Sequence, residues 1–131
     1  MIRSVAAAAL LIAVPVSAQD AVPTEAEGKI VIYRGGSVWG AGVACPVRYE
    51  GKEVVELGRG KFAEWSVAPG RYILTNKTAS VEVNVAAGET RYVRCQIKTG
   101  FMSGRADLQI VDRASFEDVQ GDLERKDIAA R

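Results

Sequence analysis

Cys45 and Cys95 are the only two cysteines in the chain, and they are the residues whose type and placement most directly suggest covalent chemistry. Alternation of apolar and polar residues puts each on the inward face of a strand. Val43, Cys45, Val47 and Tyr49 form one such face, and Val93, Cys95 and Ile97 form another. In an exported chain this pattern predicts a disulfide joining two strands. Two buried unbridged thiols, or a redox-active pair, are the competing readings. The redox reading lacks the Cys-x-x-Cys spacing at a helix start that lowers a thiol pKa.

Other reactive constellations are missing from the sequence. Histidine is absent, which removes the usual general base for a nucleophile and the commonest zinc ligand. No Ser-x-x-Lys occurs, nor a calcium loop, nor a glycine-rich phosphate loop followed by lysine and a helix. Asp107 and Asp112 flank the last strand, and Glu50, Glu53 and Glu56 surround one hairpin, where solvated carboxylates are ordinary. The expectation is a non-enzymatic chain without catalytic residues, cofactor or metal.

A candidate recognition surface depends on connectivity. If every connection is a simple reversal, loops 35–41, 58–60, 77–79 and 98–104 fall at one end. That end collects Trp39, Arg59, Lys77, Lys98, Phe101 and Met102. Aromatics in glycine-rich loops edged by basic side chains suit a protein partner, a glycan or a small hydrophobic ligand. The competing reading folds Trp39, Phe101 and Met102 back as a lid over the core, and Greek-key crossovers would scatter the loops.

The elements that must position these residues are strands at about 29–34, 42–49, 52–57, 60–67, 71–76, 80–85, 90–97 and 106–111. Ala63, Trp65 and Val67 form an apolar face in the fourth, with Phe62 on the polar side. Val81, Val83 and Val85 alternate with Glu82 and Asn84, and Leu108 and Ile110 with Asp107 and Gln109. Trp65 is expected in the core. Glu50-Gly51 suits a tight hairpin, and Ala68-Pro69-Gly70-Arg71 suits a type II turn with positive φ at Gly70. The predicted fold is mainly β, an antiparallel sandwich of about 7–8 strands. After Arg113, Ser115 with Asp118 has capping-box spacing, and Phe116, Val119 and Leu123 make a weak amphipathic stripe for a short helix.

Arg3, the apolar run Val5–Val16 and the small residues of Val16-Ser17-Ala18 have the layout of a secretory signal peptide. The run is too short to span a bilayer, which takes about 20 residues. The organisation read from the chain is 1–18 signal peptide, 19–28 flexible leader, 29–113 sandwich domain and 114–131 short helix or disordered tail. Loss of residues 1–18 removes Arg3 and no acidic group, leaving basic side chains balanced against 16 acidic ones. Nucleic-acid binding, which needs concentrated positive charge, is not expected. Neither is stable membrane insertion after signal cleavage. Localisation is expected to be periplasmic or secreted, with an envelope protein as partner, or else a glycan or small ligand.

From Ile30 to Asp112 the sequence resembles domain of unknown function 2846, small domains of exported or lipid-anchored bacterial proteins. The ordered residues are Ile32-Tyr33-Arg34, Pro46-Val47-Arg48-Tyr49 with Gly51-Lys52, Leu57, Phe62 and Ala68-Pro69-Gly70. Ala87-Gly88-Glu89-Thr90, Tyr92-Val93-Arg94, Gly100-Phe101-Met102-Ser103-Gly104 and Leu108-Gln109-Ile110-Val111-Asp112 complete the set. Members often carry a histidine after the Pro-Gly turn, where this chain has Arg71-Tyr72, and many carry a lipobox cysteine that is absent here. The resemblance implies a prealbumin-like or immunoglobulin-like sandwich, and brings no activity, cofactor or catalytic residue.

Overall fold

The structure is a computed structural model that describes residues 26–36, 43–99 and 104–129. Among the described residues the chain forms β1 (Gly28–Arg34), β2 (Cys45–Tyr49), β3 (Lys52–Leu57), β4 (Lys61–Val67), β5 (Gly70–Thr75), β6 (Ser80–Val85), β7 (Thr90–Thr99) and β8 (Gly104–Val111). Helix α1 (Arg113–Gln120) and the two-residue β9 (Glu124–Arg125) follow. They build a five-stranded sheet ordered β8-β7-β1-β4-β9 and a four-stranded sheet ordered β3-β2-β5-β6. One apolar core draws on both sheets, with Ile30, Ile32, Val47, Leu57, Ala63, Leu74, Val83 and Val93 all buried in it.

The expectation of a wholly antiparallel arrangement is corrected in the five-stranded sheet. There β1 runs parallel to β7, and β4 runs parallel to β9. From β1 to β8 each strand reverses the one before. The order places β1 beside β7, two odd-numbered strands, so the pair has to be parallel.

Two neighbouring valines in β3 have a local cause. The β2–β3 register shifts between Val47 and Arg48, so that Val47 faces Val55 and Arg48 faces Glu53. Val54 is the extra residue of a bulge, which lets Val54 and Val55 both reach the core. The β2–β3 hairpin closes on Glu50 and Gly51 at φ 52° and 79°, the two left-handed residues of a type I′ turn. Gly70, by contrast, does not have positive φ, and the expected type II turn is not formed. Gly70 opens β5, opposite Val85, because the chain crosses there from one sheet to the other. The Tyr72 hydroxyl pins this corner by donating to the Ala68 carbonyl.

Helix α1 covers the outer face of the five-stranded sheet. Phe116 packs its ring 5.1 Å from Tyr33, 5.6 Å from Phe62 and 5.4 Å from Tyr92. This second cluster explains why Phe62 departs from the alternation of β4: it faces the helix and not solvent. The helix starts earlier than the Ser115 cap implies. Asp112 is the N-cap, accepting from both the backbone N–H and the hydroxyl of Ser115. Ile110, expected inside, is 38% exposed near the end of edge strand β8. Trp65 is partly buried and sits edge-on to Tyr49 and Tyr72.

Beyond α1 the chain returns along β4. Glu124 N–H donates to Gly60 O at 2.9 Å, Lys126 N–H to Phe62 O at 2.7 Å, and Ala129 N–H to Val54 O at 2.8 Å. The last of these bonds reaches the other sheet, so the tail laces the open side of the core, where Ile128 packs.

One close approach fixes a glycine. A Cβ at Gly28 would lie 2.2 Å from Val85 Cγ1, whereas one at Gly58 meets nothing within 4 Å. Gly28→Ala is expected to lower unfolding stability by about 1–3 kcal/mol through overpacking. Gly58→Ala serves as the near-neutral control, and thermal or urea unfolding of both variants measures the difference.

Candidate functional site

The strand directions bring one set of ends together. Arg34 at the end of β1 is opposite Lys61 at the start of β4, and Gly60 N–H donates to Gly35 O at 3.1 Å. The end of β7 and the start of β8 pair at the same pole, through Lys98↔Arg105 and Thr99↔Gly104. The turn between β5 and β6 joins them there, where the Thr78 hydroxyl donates to Ala106 O at 2.7 Å.

Two links tie the sheets at this pole. Cys45 of β2 and Cys95 of β7 are disulfide-bonded with their Cα atoms 6.6 Å apart. Beside that bond, Arg34 lies opposite Cys95 in the β1–β7 register and shares the inward parity of Ile30 and Ile32. Its side chain is only 3% exposed, and its guanidinium donates to Leu57 O at 3.1 Å and to Val43 O. Burial pushes this guanidinium below its ordinary pKa, and nearby Arg59 acts in the same direction.

Outside the tie lies a groove of about 610 Å³, lined by Val43, Ala44, Pro46 and Arg48 from the β2 side and by Glu56 of β3. Asn76, Lys77 and Thr78 line it from the β5–β6 turn, with Arg105 and Ala106 from β8. It exists because β5 ends at Thr75, opposite Arg48. β5 pairs with β2 only at Thr75↔Arg48 and Leu74↔Tyr49, then turns away, leaving the start of β2 without a neighbour on that side among the described residues. Asn76 organises the turn by accepting from Thr78 N–H at 3.0 Å and Ala79 N–H at 2.8 Å. Its Nδ2 is buried and has no acceptor among the described residues.

Of the side chains singled out from sequence, Lys77 lines the groove. Lys98 is paired with Asp107 at 3.1 Å, and Arg59 is exposed in the turn before β4, outside the groove lining. Trp39, Phe101 and Met102 lie outside the described residues. Arg34, Arg48, Asn76 and Arg105 were not foreseen. A charge at an inward position of β1 marks Arg34 in the sequence. The groove residues have no such signature, because they meet only where two sheets and a turn converge. Among the described residues no cluster of three or more histidine, cysteine or carboxylate side chains is placed to hold a metal.

Fold and pole together define a two-sheet β domain, cross-linked between sheets and carrying one C-terminal helix. The family described as protein of unknown function (DUF2846) matches residues 24–106, most of the chain, and the chain belongs to that family. No curated protein and no solved structure gives a significant match.

Arg34→Met leaves the carbonyls of Val43 and Leu57 without their charged donor and is expected to cost on the order of 3 kcal/mol in urea unfolding. A second prediction concerns pH. The hydrogen bond from the Lys98 ammonium holds the Asp107 carboxyl below the ordinary carboxylate range, against partial burial. A depressed folded pKa contributes stability above the unfolded value and loses it as pH falls through the folded one. In Lys98→Gln the Asp107 midpoint, followed by carboxyl NMR, should rise. The stability gap to the unsubstituted protein should close as pH falls below the depressed midpoint.

Proposed function

We propose that this protein is a non-enzymatic exported domain of the bacterial envelope, with a structural or protein-interaction role. In this reading residues 1–18 are removed on export, and the product works in the periplasm or outside the cell. Its two sheets then form a sandwich of the prealbumin-like or immunoglobulin-like kind. The observation that carries the reading is the Cys45–Cys95 bond, with no free cysteine among the described residues. Such bonds persist in oxidising compartments and are rare in reducing ones. Closing a separation of 50 residues is worth about 4 kcal/mol against the unfolded chain by loop entropy. A domain this small gains much of its margin from that link.

The absence of histidine supports a role in binding over turnover. Among the described residues no helix is long and apolar enough to cross a membrane. The second reading, a module for a glycan, peptidoglycan fragment or small hydrophobic molecule at the loop end to which the sequence assigns Trp39 and Phe101, is favoured by the groove that Lys77, assigned to the same end, lines.

Fractionation of cells expressing the tagged protein is expected to place it in the periplasm or medium, starting at Gln19, with both thiols blocked before reduction. A full-length cytoplasmic product with two reactive thiols would refute export. The Cys45→Ser/Cys95→Ser double variant should lose about 4 kcal/mol of stability.

A further inference from the structure

We infer that the groove between β2 and the β5–β6 turn binds a small oxyanion ligand, a molecule carrying carboxylate or phosphate groups. The inference rests on the second, ligand-binding reading above and names its ligand chemistry.

Most of the described cations have a partner. Lys29 pairs with Glu64, Lys61 with Glu124, Arg71 with Glu82, Arg91 with Glu89, Lys98 with Asp107 and Arg113 with Glu117. Arg94 bonds Gln109, and the Lys126 ammonium bonds the Glu56 carbonyl. The side chains of Arg48, Lys77 and Arg105, like those of Lys52, Arg59 and Arg125, have no hydrogen-bond or ion-pair partner among the described residues, and the first three line one groove. One carboxylate, Glu56, faces them there, so the wall keeps an excess of positive charge. Segments 37–42 and 100–103, which flank this pole in sequence, contain no Asp or Glu that could neutralise it.

The second observation is the Asn76 amide. Its oxygen is committed to Thr78 and Ala79, which fixes the identity of its nitrogen, and that nitrogen is a buried donor without an acceptor among the described residues. An unsatisfied buried donor is uncommon, and this one belongs to a residue of the groove wall. Two arginines add planar donor pairs that match carboxylate and phosphate geometry, and lysine adds a point charge. At about 610 Å³ the groove falls within the size range of small-ligand sites.

The test is NMR titration of the oxidised, exported product with three probes: inorganic phosphate, a tri-uronate and the matching neutral trisaccharide. Saturable shifts confined to residues 43–48, 76–78 and 105–106 are expected with an anionic probe and not with the neutral sugar. Which anion binds more tightly distinguishes phosphate from carboxylate ligands. Arg48→Gln and Arg105→Gln should each weaken binding about fivefold with unchanged melting, Lys77→Gln should act in the same direction, and Glu56→Gln should tighten it. Non-saturable shifts spread equally over Lys52 and Arg125, or full affinity in a folded Arg48→Gln/Arg105→Gln variant, would overturn the assignment. An exported, oxidised protein that binds neither anion also overturns it and leaves the scaffold role standing. Anion binding by a protein that is never exported does the reverse.

Discussion

The gap between the two sheets at one pole is closed by a covalent bond and a buried cation side by side. Cys45–Cys95 joins β2 to β7 directly. Arg34, opposite Cys95 in the β1–β7 register, reaches across the same gap to carbonyls at the β2 and β3 ends. A guanidinium without water is costly unless its donors are used, and here backbone oxygens at the strand ends use them. The position of β2 relative to β7 follows from this pair of links. So does the floor of the groove outside them.

The opposite pole is held by different means. Tyr49, Trp65 and Tyr72 stack edge-on or tilted with centroids 5.2–5.6 Å apart, and the Tyr72 hydroxyl binds the corner at Ala68. These rings are packing, with one polar handle placed where a hydrogen bond is available. On the outer face α1 does comparable work around Phe116, and the tail beyond it satisfies part of the β4 edge. An edge paired within its own chain is unavailable to other chains, which protects a small β domain from aggregation.

Over the sheets and helix, many cations and carboxylates are matched in exposed pairs, each of which contributes little to stability. Around the β2 start three cations unpaired among the described residues share one wall. That asymmetry does not follow from bulk composition, since the chain as a whole is nearly neutral. It comes from which strands are adjacent.

Most strands were legible because alternation records directly which side chains face a core. Val83 and Val85, or Val93 and Cys95, announce their orientation without reference to any partner. The inward parity of the two cysteines was legible for the same reason, and so was a short helix carrying Phe116. Strand neighbours were not legible. Parallel pairing of β1 with β7 depends on the order of strands across the sheet, which local periodicity does not encode. Phe62 looked anomalous until a helix covered its face, and Glu124–Arg125 carries no strand signal because two residues pair only by docking on β4. Local sequence thus determined which residues go inside and where the chain turns, since those are properties of a few consecutive residues in water. Which inward faces meet, and that Arg48, Lys77, Arg105 and Asn76 share a wall, was decided only by tertiary packing, because those contacts join segments that have no influence on one another until the sheets close.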